Sequence, residues 1–555
     1  MADHLNRSAP HFVLTSNAVP VTKITMSNQL SPVKLRLRTI FLPSIGNMIF
    51  VAILFVLIFG SGNALLGDGD TGYHIKTGEV ILSNWSIPVR DLYSFHYPAL
   101  SWTAHEWLAE VIMALLFKSA GLTAVVVFFA LVLAFSHWLL YQSLRAKCDH
   151  LILCTFVVLL ATATSSIHWL ARPHVFSILL TVIWCDCLRR FQSEDRKLFV
   201  VCLPFLMLLW VNLHGGFIIG FILLGIYLVS DWFSLLTRKQ DSLGVDRTRA
   251  KTLLLILLAC VAVCFFNPYG FDILLFPLRV TSDRFVMDRV TEFLSPNFHE
   301  PLPFKYMFLL LIGSLAVSRS RLGFIDLTLM MLLSYMALYS ARHVSLFAVV
   351  LAPILLNTLV DLIDRLPERF STSYATRNQN LLAIEKTLNA YLWPTASLIV
   401  VFTLVATGLI TYHFDARKFP VKAVEFLQRE KIVGNVFNDD EFGDYMIYAV
   451  WPSYRVFMDG RSDMYGETFG RDYLRIANVA PGWKQTLKKY DVRWVIFNTD
   501  SALVAALKDQ PDWQSVYSDP VATILVKSEP KSLGLAKYPD ESPKIELRKI
   551  TAGSR

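Results

Sequence analysis

Charge is scarce in this chain: 17% of its 555 residues are Asp, Glu, Lys or Arg, where an ordinary soluble domain carries about 25%. Apolar residues make up 54%, and mean hydropathy is +0.46. One soluble core cannot absorb that surplus, so an ordinary soluble enzyme is excluded. Disorder is excluded too, because 13% of the residues are aromatic. Cysteine is sparse. Cys148, Cys154, Cys185, Cys187, Cys202, Cys260 and Cys264 lie in or beside apolar stretches and none follows, so no disulfide framework is indicated. Cys185-Asp186-Cys187 reads as buried thiols rather than a metal pair. A Gly-x-x-x-x-Gly-Lys-Ser/Thr loop and a Gly-x-Gly-x-x-Gly fingerprint are both missing, which removes support for nucleotide-driven chemistry. His105-Glu106 does not open a zinc-protease motif, because Ala109 stands where the second histidine belongs. No internal repeat is visible.

What is present is a series of long apolar runs. The first, 44–66, follows Lys34, Arg36 and Arg38 and is long enough to span a bilayer; it reads as an uncleaved signal anchor. Further runs lie near 121–143, 151–170, 174–188, 198–212, 216–236, 252–267, 303–317, 322–339, 344–362 and 388–413, which predicts about eleven helices. Segment 102–120 is ambiguous, with a polar first turn and a short apolar stretch. Read as an interfacial helix, it leaves the basic clusters around Arg145, Arg189, Arg238, Arg319 and Arg365 on one side, the cytoplasmic side by the positive-inside rule. The net charge of +8 is then a topology signal, and no nucleic-acid partner is expected. The layout becomes a basic cytoplasmic segment 1–43, a membrane domain 44–413 with a first outer loop 67–120, an extracytoplasmic α/β domain 414–530 and a loose tail 531–555. In the α/β domain, helices at 421–430 and 501–509 alternate with strand-like runs at 434–437, 455–458, 493–497 and 523–526.

This parity places many unusual polar residues on the outer side: Asp68, Asp70, His74, His105, Glu106, Glu110, His168, Arg172, His174, Asn212, His214, Asn267, Arg284, Glu292, Arg342 and His343. Ionisable groups at membrane depth are costly and functional when present, and their accumulation on one face predicts a single polar cavity. Asp68 and Asp70 suit a hard divalent cation through oxygen ligands, or one of them suits proton abstraction from a hydroxyl. Asp439, Asp440, Asp444, Asp459, Arg461 and Asp463 cluster around strand ends of the C-terminal domain. Solvated loop charge is the favoured reading there, over a cover for the cavity or an acceptor site.

The stretches Asp70-Thr-Gly-Tyr-His-Ile-Lys-Thr-Gly, Asp91-Leu-Tyr-Ser-Phe, His105-Glu-Trp-Leu-Ala-Glu and Asn212-Leu-His-Gly-Gly carry a resemblance. Asn267-Pro-Tyr-Gly, Arg342-His and Met458-Asp-Gly-Arg continue it. With an acidic loop after the first helix and an outer C-terminal domain, the chain resembles the GT-C superfamily of membrane glycosyltransferases, and within it bacterial members of largely unassigned substrate. The resemblance implies transfer of a sugar from a polyprenyl-phosphate donor to a glycan, lipid or protein acceptor at the outer face of the cytoplasmic membrane. It implies a catalytic acid in the first outer loop, where Asp70 matches best and Asp68 second. Many members place Glu directly after that Asp; Thr71 stands there instead, and Glu106 is the candidate for the second carboxylate. Donor phosphate and substrate contacts fall to His74, His105, Arg172, His174, Asn212, His214, Arg342 and His343. A divalent cation (Mg or Mn) on Asp68 and Asp70 is compatible but not demanded, and no other cofactor is expected. The competing readings are a flippase for a lipid-linked saccharide and a non-catalytic envelope-complex subunit.

Overall fold

The computed structural model describes residues 41–528, except 97, 238–242, 320 and 389–390, together with 547–549. All but the last three residues of the expected N-terminal segment 1–43 therefore lie outside the described residues. The first apolar run forms α1 (Ile45–Phe55), whose start is fixed by Ser44 accepting the Asn47 N–H at 3.2 Å. It winds on through a π turn at Val56–Gly60 and a 3-10 turn at Gly62–Leu66. Then comes α2 (Asp70–Asn84), with Asp70 in its first turn, where a carboxylate complements the positive end of the helix dipole.

Next is α3 (Trp107–Arg145), broken at Ala120 and Gly121. Gly121 has φ +63° and ψ −153°, a conformation open to glycine and closed to L side chains. The break separates the ambiguous polar-headed segment from the apolar run after it. The bundle continues with α4 (Leu151–Ser165), α5 (His174–Glu194), α6 (Leu203–Leu213), α7 (Ile218–Thr237), α8 (Leu243–Cys264) and the amphipathic α9 (Asp272–Ser282). It is completed by α10 (Pro303–Val317), α11 (Phe324–Tyr339), α12 (Val344–Ile363), α13 (Glu368–Glu385) and α14 (Leu392–Ala406). Four helical segments among the described residues are long and apolar enough to cross a membrane: Trp107–Arg145, Leu151–His168, Gly215–Leu236 and Ala341–Ile363. Five further apolar helices are shorter. Phe129, Trp184, Trp210 and Phe347 are fully enclosed between these helices, as expected of a polytopic membrane protein.

The C-terminal unit is α/β. Helix α15 (Val421–Glu430) precedes β2 (Asn435–Asn438), and α16 (Asp440–Val450), α17 (Ser462–Ala477) and α18 (Trp483–Lys489) follow. Then come β3 (Val492–Asn498), α19 (Ala502–Lys508), β4 (Trp513–Ser518) and β5 (Ala522–Lys527). The sheet order is β2-β3-β5-β4, with β2 and β3 parallel and the other pairs antiparallel.

Two expectations are corrected. The run 455–458 is no strand of this sheet; Val456 bridges Ser94, its N–H donating to the Tyr93 carbonyl at 2.9 Å. Its backbone found a partner in the first loop instead. And the tail is not loose throughout: Leu547–Lys549 (β6) pairs antiparallel with Ser86–Pro88 (β1).

Candidate functional site

The site begins at α2. Its N-terminal turn is held from both sides by glycines that let backbones approach. A Cβ on Gly72 would sit 2.7 Å from the Tyr448 Cβ of α16, and one on Gly78 would overlap the Glu110 carbonyl of α3. So α2 lies clamped between the bundle and the C-terminal unit, with Asp70 at the junction.

Asp70 does not stand alone. Arg172, in the loop before α5, places Nη2 2.5 Å from Asp70 Oδ2 and Nη1 2.7 Å from Asp68 Oδ2 and 2.6 Å from Glu292 Oε1. The Asp70 N–H donates to Asp68 Oδ1 at 2.8 Å, fixing the two acids relative to each other. Arg342 approaches Glu292 at 3.8 Å and lies over the Phe293 ring. Side-chain exposure rises from 10% at Asp70 and 11% at Arg172 to 21% at Glu292, 27% at Asp68 and 29% at Arg342. The cluster therefore opens on the side of Asp68, Glu292 and Arg342. Burial, opposed by Arg172 and reinforced by Asp68 and Glu292, pushes the Asp70 carboxyl well above the carboxylate range. Glu292 is half-buried, but Arg172 and Arg342 outweigh that desolvation and hold it at about 2. One acid is thus poised to exchange a proton while its neighbour stays charged.

A second cluster lies around Glu106, the N-cap of α3. The Nε2 atoms of His74, His105 and His214 lie 3.5, 3.6 and 3.5 Å from its carboxyl oxygens. Tautomers follow from the other ring nitrogens. His214 Nδ1 accepts the Gly216 N–H at 2.9 Å, so its proton sits on Nε2, facing Glu106. His105 Nδ1 lies 3.2 Å from the Thr103 carbonyl and must donate to it. His74 is bracketed by carboxyls, with Nδ1 3.2 Å from Glu110 Oε1. Burial, opposed by Arg172 and Arg342, pushes Glu106 up to about 7; burial, with Arg172 and His105, pushes His74 down. His174 links the clusters, donating to the His168 carbonyl at 2.8 Å with its ring 6.4 Å from His214.

Asp444, Asp459 and Arg461 of the C-terminal unit are not solvated loop charge. Arg461 is buried, with Nη2 2.7 Å from Asp91 and 2.6 Å from Asp459, and its guanidinium lies over Tyr93 and Trp102. Asp459 also accepts the Tyr465 hydroxyl at 2.7 Å. Asp444 is buried, and its Oδ1 accepts the Gly460 N–H at 2.9 Å. A Cβ on Gly460 would overlap Asp70 Oδ1 and stand 3.0 Å from Asp444 Oδ2, so the two carboxyls converge on one glycine. Burial and the charge of Asp70 push Asp444 up as well. These acids were misread because burial comes from a partner segment far away in sequence, of which the local pattern carries no trace. Asp463 remains exposed.

Of the expected residues, Asp68, Asp70, Glu106, His74, His105, Arg172, His174, His214 and Arg342 come together. Asn212 instead accepts from the Trp107 indole at 2.8 Å and from Asn267 at 3.1 Å, bracing α3 against α6. His343 contacts the Met336 carbonyl at 3.3 Å, closing the end of α11. Arg284 lies exposed on a separate cavity of about 850 Å³ beside α9 and α17. A divalent cation does not fit the acids as placed. Asp68, Asp70 and Glu292 all turn to Arg172, and among the described residues no group of three His, Cys, Asp or Glu converges to hold a metal. His214 cannot ligate through a protonated Nε2.

Comparison with solved structures finds the oligosaccharyltransferase of Archaeoglobus fulgidus in the apo form. The TM-score is 0.51 at 11% identity, over 82% of this chain and 69% of that one. The archaeal oligosaccharyltransferase AglB from the same organism, in complex with an inhibitory peptide and a dolichol-phosphate, matches at 0.52 and 12% over the same shares. ArnT from Cupriavidus metallidurans, bound to undecaprenyl phosphate, matches at 0.41 and 14%, over 87% of this chain and 99% of that one. No family model matches the chain, and no curated protein does. The archaeal likeness shows a shared fold over 82% of this chain.

Proposed function

We propose that this chain, a GT-C fold set in a membrane, is a glycosyltransferase that moves a sugar from a polyprenyl-phosphate-linked donor to an acceptor hydroxyl. The proposal places about eleven spans in the cytoplasmic membrane and the acidic cluster and C-terminal unit on its outer face. The acceptor class is a glycan, lipid or protein. The observation that carries the reading is Asp70: a carboxyl at the head of α2, buried, raised in basicity and aimed by Arg172 toward a partly open side. Lipid-linked donor chemistry is supported by the archaeal neighbour, which holds dolichol-phosphate in the same fold.

In the transfer, the acceptor hydroxyl gives its proton to Asp70 as its oxygen bonds to the anomeric carbon. The bond from that carbon to the phosphate oxygen breaks, and the electron pair leaves with the phosphate. Arg342, on the open side, and Arg172 supply positive charge where the phosphate develops its negative charge. Arg172 also holds Asp70 in line, so its removal misplaces the base as well as the charge. Glu106, with its three histidines, is the second carboxyl, a proton reservoir behind Asp70. The purified protein is assayed with a panel of polyprenyl-phosphate sugars, scoring glycosylated product. Transfer that disappears in Asp70→Asn supports the reading. Donor lipid moved across a vesicle membrane with no sugar transferred would replace it with the flippase.

A further inference from the structure

A second polar cavity, of about 560 Å³, lies at the opposite end of the same helices. On α5 the step from His174, at the acidic cluster, to Arg189, in this cavity, is fifteen residues, roughly 22 Å of helix. Helices α3, α7 and α12 likewise run from the acidic cluster to this end, so the two sites sit on opposite ends of the bundle.

The charged lining is mostly basic. Lys147, Arg189 and Arg249 stand against a single lining carboxylate, Asp326. Arg189 donates from Nη2 to the Val350 carbonyl at 2.9 Å, which fixes the guanidinium against α12. Arg249 is held by the Gln192 carbonyl at 3.4 Å and lies 3.8 Å from buried Asp231. Lys147 is exposed at the mouth. The N-terminus of the sixteen-residue α11 joins the wall through Gly323 and Phe324, and Gly323, as N-cap, offers no side-chain oxygen to the first-turn N–H groups. Asp326 shares that first turn and Asp231 opposes Arg249, so three cations stand against two carboxylates and the pocket, with the helix N-terminus in its wall, is net basic. The inner wall is mostly uncharged polar, with Ser143, Gln192, Tyr227, Ser230 and Asn357 among its residues, while at the rim Phe324 stacks on Phe233 at 5.5 Å, both exposed on the outside of the bundle. A ligand with an anionic polar head for the cavity and an apolar tail for the exposed Phe324–Phe233 pair satisfies both.

We infer that this cavity binds the phosphate headgroup of an anionic membrane lipid. Basic pockets between helices on the side that carries the basic loops select such headgroups. The inference does not rest on the glycosyltransferase reading, and its test needs no transfer assay.

The full chain is purified in mild detergent, delipidated and titrated in native mass spectrometry. The probes are phosphatidylglycerol, phosphatidylcholine with the same acyl chains, and inorganic phosphate. One saturable site preferring phosphatidylglycerol is expected. Lys147→Gln should weaken it about fivefold, the worth of one basic residue beside an anionic headgroup, and Arg189→Gln at least as much. The double variant Arg319→Gln/Arg321→Gln removes exposed charge at the same end but away from the cavity, and should bind as the parent does. Equal weakening by that control would reduce the effect to diffuse surface attraction and overturn the site. Saturation by inorganic phosphate that blocks no lipid binding would overturn the lipid assignment. If Arg189→Gln fails to fold, the exposed Lys147 still decides the outcome.

Discussion

Two arginines near the head of α2 each gather carboxylates, and they are not alike. Arg461 is sealed: its side chain is 2% exposed, Asp91 1% and Asp459 0%. Every carboxyl there has further donors, with the Tyr93 and Ser94 N–H groups on Asp91 and the Tyr465 hydroxyl on Asp459. Arg172 gathers one more carboxylate, but two of its three partners, Asp68 and Glu292, reach solvent, with side chains 27% and 21% exposed. A sealed buried pair fixes structure, because removing one member strands an uncompensated charge. A half-open one has room to exchange partners with a substrate. The same residue types thus weld two segments at one point and present chemistry at the other.

Arg461→Met is expected to have the largest effect, a loss of about 3–5 kcal/mol of stability from breaking a buried ion pair, read by chemical or thermal unfolding. Arg172→Met should cost clearly less, since Asp68 and Glu292 can turn to water; equal losses would erase the distinction between the two arginines. Next comes Asp70→Asn, which leaves the fold intact and lowers transfer at least about a hundredfold, with a smaller loss for Asp68→Asn. A near-normal Asp70→Asn enzyme would move the base to Asp68 or Glu106.

The pH dependence is smaller and has a definite sign. Asp70 and Glu106 are both raised, so each carboxylate forms only above its shifted value. Transfer should fall as pH drops through about 7, where Glu106 gains its proton, and Glu106→Gln should move that limb. A rate flat from pH 5 to 8 would remove both acids from the proton path. The smallest effect is expected from chelation. With Arg172 already between the three carboxylates, EDTA should leave transfer unchanged. Activity that disappears and returns with Mg or Mn would mean that Arg172 yields its partners to a cation.

How much of this was legible in the sequence depended on how local the cause was. Apolar runs gave the helices, and the polar head of 102–120 marked a segment that the structure does separate, at Gly121. Asp70, Glu106 and Arg172 could be named because an ionisable group beside an apolar run is unusual wherever its partner lies. Asp444, Asp459 and Arg461 sit among turns in a polar stretch, where charge is ordinary, and only the first loop buries them. The run at 455–458 alternates like a strand, but the choice between a sheet and Ser94 is made by tertiary packing. Strand β4 was missed because it is a mostly exposed edge with Gln514 and Ser515 in place of an apolar face.

The Asp91–Arg461 pair joins residues 370 positions apart. During synthesis at about 5–20 residues per second, the loop bearing Asp91 therefore waits roughly 20–70 s for its counter-charge. Until then a carboxylate destined for complete burial has only water and its own turn for company. Burial of the loop thus waits on the later-made unit, and a ribosome that stalls before residue 461 leaves a chain with its apolar helices made and the Asp91 loop without its counter-charge.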